Sequence, residues 1–177
     1  MNSDRMGLSN LKLVFLLMAS LLSARAAEWK SDTHGFSVNL PRDWQQVDSP
    51  NKQLPLVARD PKTARRLMVK VVPADGETAW ATVLAGLKRG FERSGGKMGD
   101  ERRFDLQGVS ACEVITTSEH EGTQMKSLMR MCIHGDKVYL VHYIWKAEQS
   151  AEAEAHTFLD SFRLLNRPVA NQHISLC

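Results

Sequence analysis

Three groups of side chains in this sequence are of types that could do chemistry: a set of cysteines, an acid and a histidine within one β-rich stretch, and a run of basic residues. The cysteines are Cys112, Cys132 and Cys177, with no C-x-x-C and no Cys/His spacing that resembles a zinc site. Residues 109–118, 124–133 and 137–145 read as β-rich runs. A polar turn, Glu119-His120-Glu121-Gly122-Thr123, separates the first two; Gly135-Asp136, with Gly first as a type II′ hairpin wants, separates the last two. With the first turn centred on Gly122, opposed residues have numbers summing to 244, as those of Cys112 and Cys132 do. A non-hydrogen-bonded antiparallel pair brings its Cα atoms to about 4.5 Å, within disulfide reach. The expectation is therefore a Cys112–Cys132 bridge, closing a loop of roughly twenty residues and contributing about 3 kcal/mol. A slip of one residue would turn the two thiols to opposite faces, and the alternative is two buried free thiols on neighbouring strands. Cys177 is left without a partner.

The same registers put Glu113, opposite Met131, and His142, beside Met129, on one apolar face. An acid and a histidine in one layer could make an acid–base pair with perturbed pKa values. Sheet spacings separate them by about 11 Å, however, and the blander reading is that backbone, water or a covering helix satisfies each. The sequence contains no G-x-S-x-G, H-E-x-x-H, P-loop or G-x-G-x-x-G, and His120-Glu121 lacks the second histidine of a zinc helix. No catalytic, cofactor-binding or metal-binding residue is assigned. Met125, Met129 and Met131 alternate along one strand, a pattern that fits core filling better than soft-metal binding. The densest basic stretch is Arg59, Lys62, Arg65, Arg66 and Lys70, diluted by Asp60. It is either solvated surface or a patch for an anionic component.

The elements that position these groups follow from periodicity. Within 77–94, Trp80, Val83, Leu84, Leu87 and Phe91 recur at helical spacing, with Asp75 placed to cap the start and Gly95-Gly96 to end it. A second helix is expected after Ser150 as cap, with Ala151, Ala155, Phe158, Leu159 and Phe162 inward. Further strands read at 28–31, 36–40, 56–59, 67–72 and 97–104, with prolines 41, 50, 55, 61 and 73 between them. Both faces of the central strands are apolar, so cover is expected on both sides of an antiparallel sheet.

The first 26 residues have the plan of a secretory signal: Arg5 and Lys12, an apolar run from Leu13 to Leu22, then Ala24-Arg25-Ala26. This ten-residue run makes about 15 Å of helix, half of a bilayer's hydrocarbon thickness. The expected mature chain starts at Ala27 and lies in the periplasm, not integral to the membrane once the signal is cleaved; the alternative is an uncleaved anchor. Removing the leader leaves 20 basic against 19 acidic residues, so no whole-domain charge argues for nucleic acid.

His34-Gly35-Phe36-Ser37-Val38-Asn39-Leu40-Pro41-Arg42-Asp43-Trp44 resembles the start of PsbP-like domains, in which a Gly-aromatic strand runs into Pro and then Trp. The long helix, the antiparallel strands and the closing Phe158-Leu159-Asp160-Ser161-Phe162-Arg163 fit the same pattern, over residues 28–166. That family includes the PsbP extrinsic subunits of photosystem II, a nuclear Ran-binding factor and DcrB-type bacterial envelope proteins. The resemblance implies an α+β fold, an α/β/α sandwich around a mostly antiparallel sheet of six or seven strands. It also implies binding or assembly roles without chemistry, and it carries over no functional residue. The expected layout is a signal peptide (1–26), one domain (27–166) and an irregular tail (167–177). The expected activity is that of an envelope binding or assembly module, not an enzyme and without cofactor, whose partner is an envelope protein or an anionic envelope component. The alternative is an envelope hydrolase or other enzyme with an unrecognised site.

Overall fold

The structure, a computed structural model, describes residues 26–74 and 80–165. Its elements in chain order are β1 (Ala26–Ser31), β2 (Phe36–Pro41), β3 (Gln45–Gln46), β4 (Leu56–Arg59), β5 (Arg66–Pro73) and α1 (Trp80–Arg93). Then come β6 (Lys97–Met98), β7 (Arg102–Leu106), β8 (Val109–His120), β9 (Thr123–His134), β10 (Lys137–Lys146), α2 (Glu152–Leu159) and β11 (Arg163–Leu164). The main sheet is antiparallel, in the order β3-β4-β5-β10-β9-β8-β6, with β7 also paired to β8; β1, β2 and β11 form a second, smaller sheet. The expected strand at 97–104 is broken at Gly99-Asp100 into β6 and β7, both of which pair with β8.

Two hairpin turns fix the register of the three longest strands. Gly135 has φ of 60° at the first position of its two-residue turn, as type II′ requires, and His134 lies opposite Lys137. This register is the expected one. The other turn departs from expectation. Glu121 and Gly122 both have positive φ, 50° and 76°, the type I′ signature, so the loop has two residues and His120 pairs with Thr123. Opposed residues in β8 and β9 therefore sum to 243.

That one-residue shift turns the whole of β8 over. Cys112 lies opposite Met131 and Cys132 opposite Ala111, and the two cysteines belong to different core clusters on opposite faces of the sheet. Both are free, so the expected Cys112–Cys132 bridge is not formed. Burial pushes their thiols up, Cys112 to about 11 and Cys132 to about 12, which keeps them protonated and inert at neutral pH. Cys177 and the expected tail lie outside the described residues, as does the expected leader except for Ala26.

One core lies between the main sheet and a second layer made of the small sheet and α2. Phe36, Tyr139, Tyr143, Trp145 and Phe162 are buried there. Their rings run on into Trp44 and Phe158, with Tyr143 stacked on Phe158 at 5.6 Å and Phe36 on Phe162 at 5.5 Å. The second core lies under α1, whose Trp80, Val83, Leu84, Leu87 and Phe91 pack on Cys112, Val114, Met129, Met131, Val138 and Leu140. Met129 and Met131 are thus core filling, whereas Met125 is half-buried and belongs to neither core. α1 ends as its glycines predict: Gly96 N–H donates to Phe91 O and Gly95 N–H to Glu92 O, with Gly95 at φ 72°, a Schellman motif. Its expected cap, Asp75, lies outside the described residues. Ser150 does not cap α2. The helix starts after Ala151, with no side-chain cap bond, because Ala151 itself is drawn into the core.

Candidate functional site

Turning β8 over moves Glu113 away from the face that holds His142. Tyr139, Val141 and Tyr143 of β10 point into the core beside α2, so His142 points to the α1 side, in a cross-strand row with Val57, Met68, Met129 and Val114. Ala111 and Cys112 fix the opposite sense for Glu113, which faces the α2 side. The acid–base pair weighed from the sequence is therefore not assembled.

Glu113 instead sits among cations. It lies opposite Arg130 on β9 and Arg102 on β7. Arg130 Nε donates to Oε2 at 2.7 Å and Arg102 Nη2 to Oε1 at 2.7 Å. Arg130 Nη2 also reaches Asp160 Oδ1 at 2.7 Å, and His156 Nδ1 stands 3.6 Å from Glu113 Oε2. The Arg130 guanidinium lies 5.1 Å from the centre of the Phe104 ring. Burial by itself raises the Glu113 pKa, but the hydrogen bonds and charges of Arg102 and Arg130 outweigh it and hold the carboxyl below its usual range. A carboxylate with both oxygens engaged by guanidinium groups is a poor proton acceptor. The cluster acts as a clamp joining β7, β8 and β9 to the end of α2. His142 carries a different perturbation: burial, then the Lys70 ammonium, pushes it down to about 4, so it is neutral at pH 7.

A second clamp lies on the same side as Glu113. Tyr143 Oη donates to Glu154 Oε1 at 2.8 Å, and Arg65 pairs with the other oxygen of Glu154, tying α2 to the β4–β5 hairpin. Arg65 thereby leaves the basic run that the sequence singles out. Arg59, Arg66 and Lys70 alternate to the other face, beside Val57 and Met68, while Lys62 at the hairpin tip is 4.0 Å from Asp43. A cavity of about 220 Å³ at this hairpin is lined by Arg59, Asp60, Thr63 and Arg66, among others. A wider groove of about 580 Å³ runs between the β1–β2 turn and residues 46–55, past His34, Gln46, Asp48 and Asn51. Ser31 Oγ and His34 Nδ1 are 2.9 Å apart at its edge, a pair not singled out from the sequence. Ser31 Oγ also accepts the His34 backbone N–H, so this is a local turn. Burial and Lys137 lower the His34 pKa, and no carboxylate is bonded to its ring.

Among the described residues, no group of three or more His, Cys, Asp or Glu side chains is placed to hold a metal ion. Nor is any described helix long and apolar enough to cross a membrane.

No family model matches the sequence, and no curated protein does. The architecture does have close counterparts. The cyanobacterial PsbP (CyanoP) of Synechocystis superposes with a TM-score of 0.67 at 11% identity, covering 93% of this chain and 98% of its own. The fold is PsbP-like. LpqN of Mycobacterium tuberculosis, described as involved in cell envelope biogenesis, has a TM-score of 0.59 at 13% identity, covering 84% and 97%. The Saccharomyces cerevisiae Ran-binding protein Mog1p has a TM-score of 0.57 at 6% identity, covering 80% and 96%. At these identities the likeness is one of fold, and it matches the sandwich that the PsbP-like resemblance implies.

Proposed function

We propose that the protein is a binding or assembly module of the bacterial cell envelope, secreted to the periplasm through cleavage of residues 1–26, with a single working domain at 27–166. The observation that carries this reading is the separation of Glu113 and His142 onto opposite faces of the main sheet. The acid and the histidine that the sequence singles out cannot serve one substrate, and both oxygens of Glu113 are already engaged. The PsbP-like fold, shared with LpqN, a protein of cell envelope biogenesis, supports the envelope setting. A chain whose mature charges nearly cancel supports recognition by local patches over bulk attraction to nucleic acid.

Crosslinking and pull-down from envelope extract test this. Recovery of a discrete partner is the expected result. Recovery of none, together with hydrolase turnover that His142→Ala abolishes, overturns it in favour of an enzyme. The intact mass of the protein from the envelope fraction tests secretion separately: a chain that keeps residues 1–26 overturns the cleavage.

A further inference from the structure

The near-neutral mature chain hides an uneven distribution of unpaired cations. On the α1 side of the main sheet, Arg59, Arg66, Lys70 and Lys146 alternate outward from β4, β5 and β10. The exposed surface of α1 adds Lys88, Arg89 and Arg93, with Glu92 as its only described carboxylate. Among the described residues Arg66, Lys70, Lys146, Lys88, Arg89 and Arg93 make no ion pair, and Arg59 makes only a 3.4 Å hydrogen bond to Gln45. On the other side, α2 carries Glu152 and Glu154 and is followed by Asp160, and there Arg65, Arg102 and Arg130 are paired with Glu154, Glu113 and Asp160.

The basic side is also incompletely covered. α1 packs over β8, β9 and part of β10, while Val57, Met68 and Ile144 belong to neither core and remain half-buried between the cations. A helix about 10 Å across shields only two or three strands at their spacing of about 4.8 Å, so among the described residues nothing covers the β4–β5 end of this wide sheet.

We propose that this face docks on an anionic lipid bilayer. The inference deepens, and rests on, the reading of the protein as an envelope binding module. The cations come from the β4–β5 hairpin, β10 and α1, over a face roughly 20–25 Å wide by strand and helix spacings. One acidic peptide segment would meet a single row of them; a bilayer surface meets all of them and offers apolar cover to Val57, Met68 and Ile144 as well. Each basic residue brought to an anionic membrane contributes roughly fivefold in affinity, and the attraction weakens as salt shortens the Debye length.

The test is co-sedimentation of the purified protein with phosphatidylcholine vesicles, with and without about one-third phosphatidylglycerol. Binding is expected only to the anionic vesicles, lost at high salt, and weakened about 100-fold in Arg59→Gln/Arg66→Gln/Lys70→Gln. The second variant, Arg89→Gln/Arg93→Gln, changes exposed residues of α1 and is expected to weaken binding by roughly 25-fold. Lys30→Gln/Arg42→Gln/Lys52→Gln removes the same charge elsewhere and is expected to bind as the parent does. Binding to neutral vesicles alike, no binding to either, or an equal loss in the Lys30/Arg42/Lys52 variant overturns the proposal. If the protein ignores vesicles yet still retrieves a protein partner from envelope extract, only the bilayer inference fails and the module reading stands.

Discussion

On one face of the main sheet, Tyr139, Tyr143 and Trp145 lie beneath a second layer of strands and helix that contributes Phe36 and Phe162, each of the five no more than 3% exposed. On the other face, among the described residues, a single helix with no fully buried residue covers part of the sheet and leaves β4 and β5 open. The first face holds the aromatic contacts and both ion-pair clamps; the second holds the unpaired cations. Stability is thus carried by one side of the sheet and the recognition proposed above by the other. The open side can change its surface residues at little cost to the fold, a useful property in a binding module.

The comparison breaks most readily in the aromatic layer. Phe36→Ala empties a site that touches Trp29, Tyr139 and Phe162 and is expected to lose about 3–5 kcal/mol. Leu87→Ala, on the half-buried side of α1, is expected to lose only about 1–2 kcal/mol. Chemical denaturation measures both, and equal losses would erase the distinction between the faces.

The clamps come next. Arg130→Met leaves Glu113 and Asp160 short of a partner, with the Glu113 side chain only 6% exposed, and is expected to cost about 3 kcal/mol. The double variant Glu113→Leu/Arg130→Met removes both charges and is expected to recover most of that loss. A double variant as unstable as Arg130→Met would mean that packing around the clamp, rather than its charge, holds this corner.

Sequence patterning made most of the architecture legible. The period of α1 with its glycine stop, the II′ turn at Gly135-Asp136, and the Gly-Phe strand running into Pro41 and Trp44 are local signals, and each was kept by the fold. What was not legible depended on one residue of register. Glutamate is an unusual occupant of a left-handed backbone position, so nothing marked Glu121 as half of a two-residue turn; centring the turn on Gly122 misplaced every side chain of β8. Both site errors, the disulfide and the Glu113–His142 layer, follow from that single shift. The short strands β3 and β11 escaped notice because two residues carry no periodicity, and tertiary pairing alone defines them. The uneven distribution of unpaired cations was hidden for another reason: a contiguous basic run does not tell which members alternate outward and which, like Arg65, turn to a carboxylate.

The open face also sets a pH dependence. His142 is neutral in the fold, with its pKa pushed from 6.5 to about 4, whereas in the unfolded chain it protonates near its ordinary value. The unfolded state therefore takes up the proton first, and stability falls as pH drops from about 6.5 through about 4, by on the order of 1–3 kcal/mol. Glu113, with its pKa lowered, contributes stability that is lost only at more acidic pH, as its own carboxyl protonates. Denaturation midpoints of His142→Gln should lose most of the slope in the first window, the remainder coming from His34, whose pKa is also lowered, and still fall in the second. A variant that keeps the full slope between pH 6.5 and 4 would place the titrating group elsewhere.

The smallest expected effect tests the register on which the two faces depend. Glu121 occupies the first central position of the I′ turn at φ 50°, where a side chain with a Cβ is strained and asparagine is tolerated best. Glu121→Asn creates an Asn-Gly pair, the preferred occupant of this turn, and is expected to stabilise the protein by about 0.5–1 kcal/mol. The substitution touches neither core, since Glu121 and Gly122 are exposed at the hairpin tip. With the turn centred on Gly122 instead, residue 121 would sit in a longer loop without that strain, and the change would be close to neutral. Peptide mapping under non-reducing conditions reads the same question independently. Register 243 holds Cys112 and Cys132 on opposite faces, so both should resist alkylation until the protein unfolds and neither should be linked to the other. A neutral Glu121→Asn together with a Cys112–Cys132 cross-link would return β8 to the other register and carry Glu113 back to the face of His142.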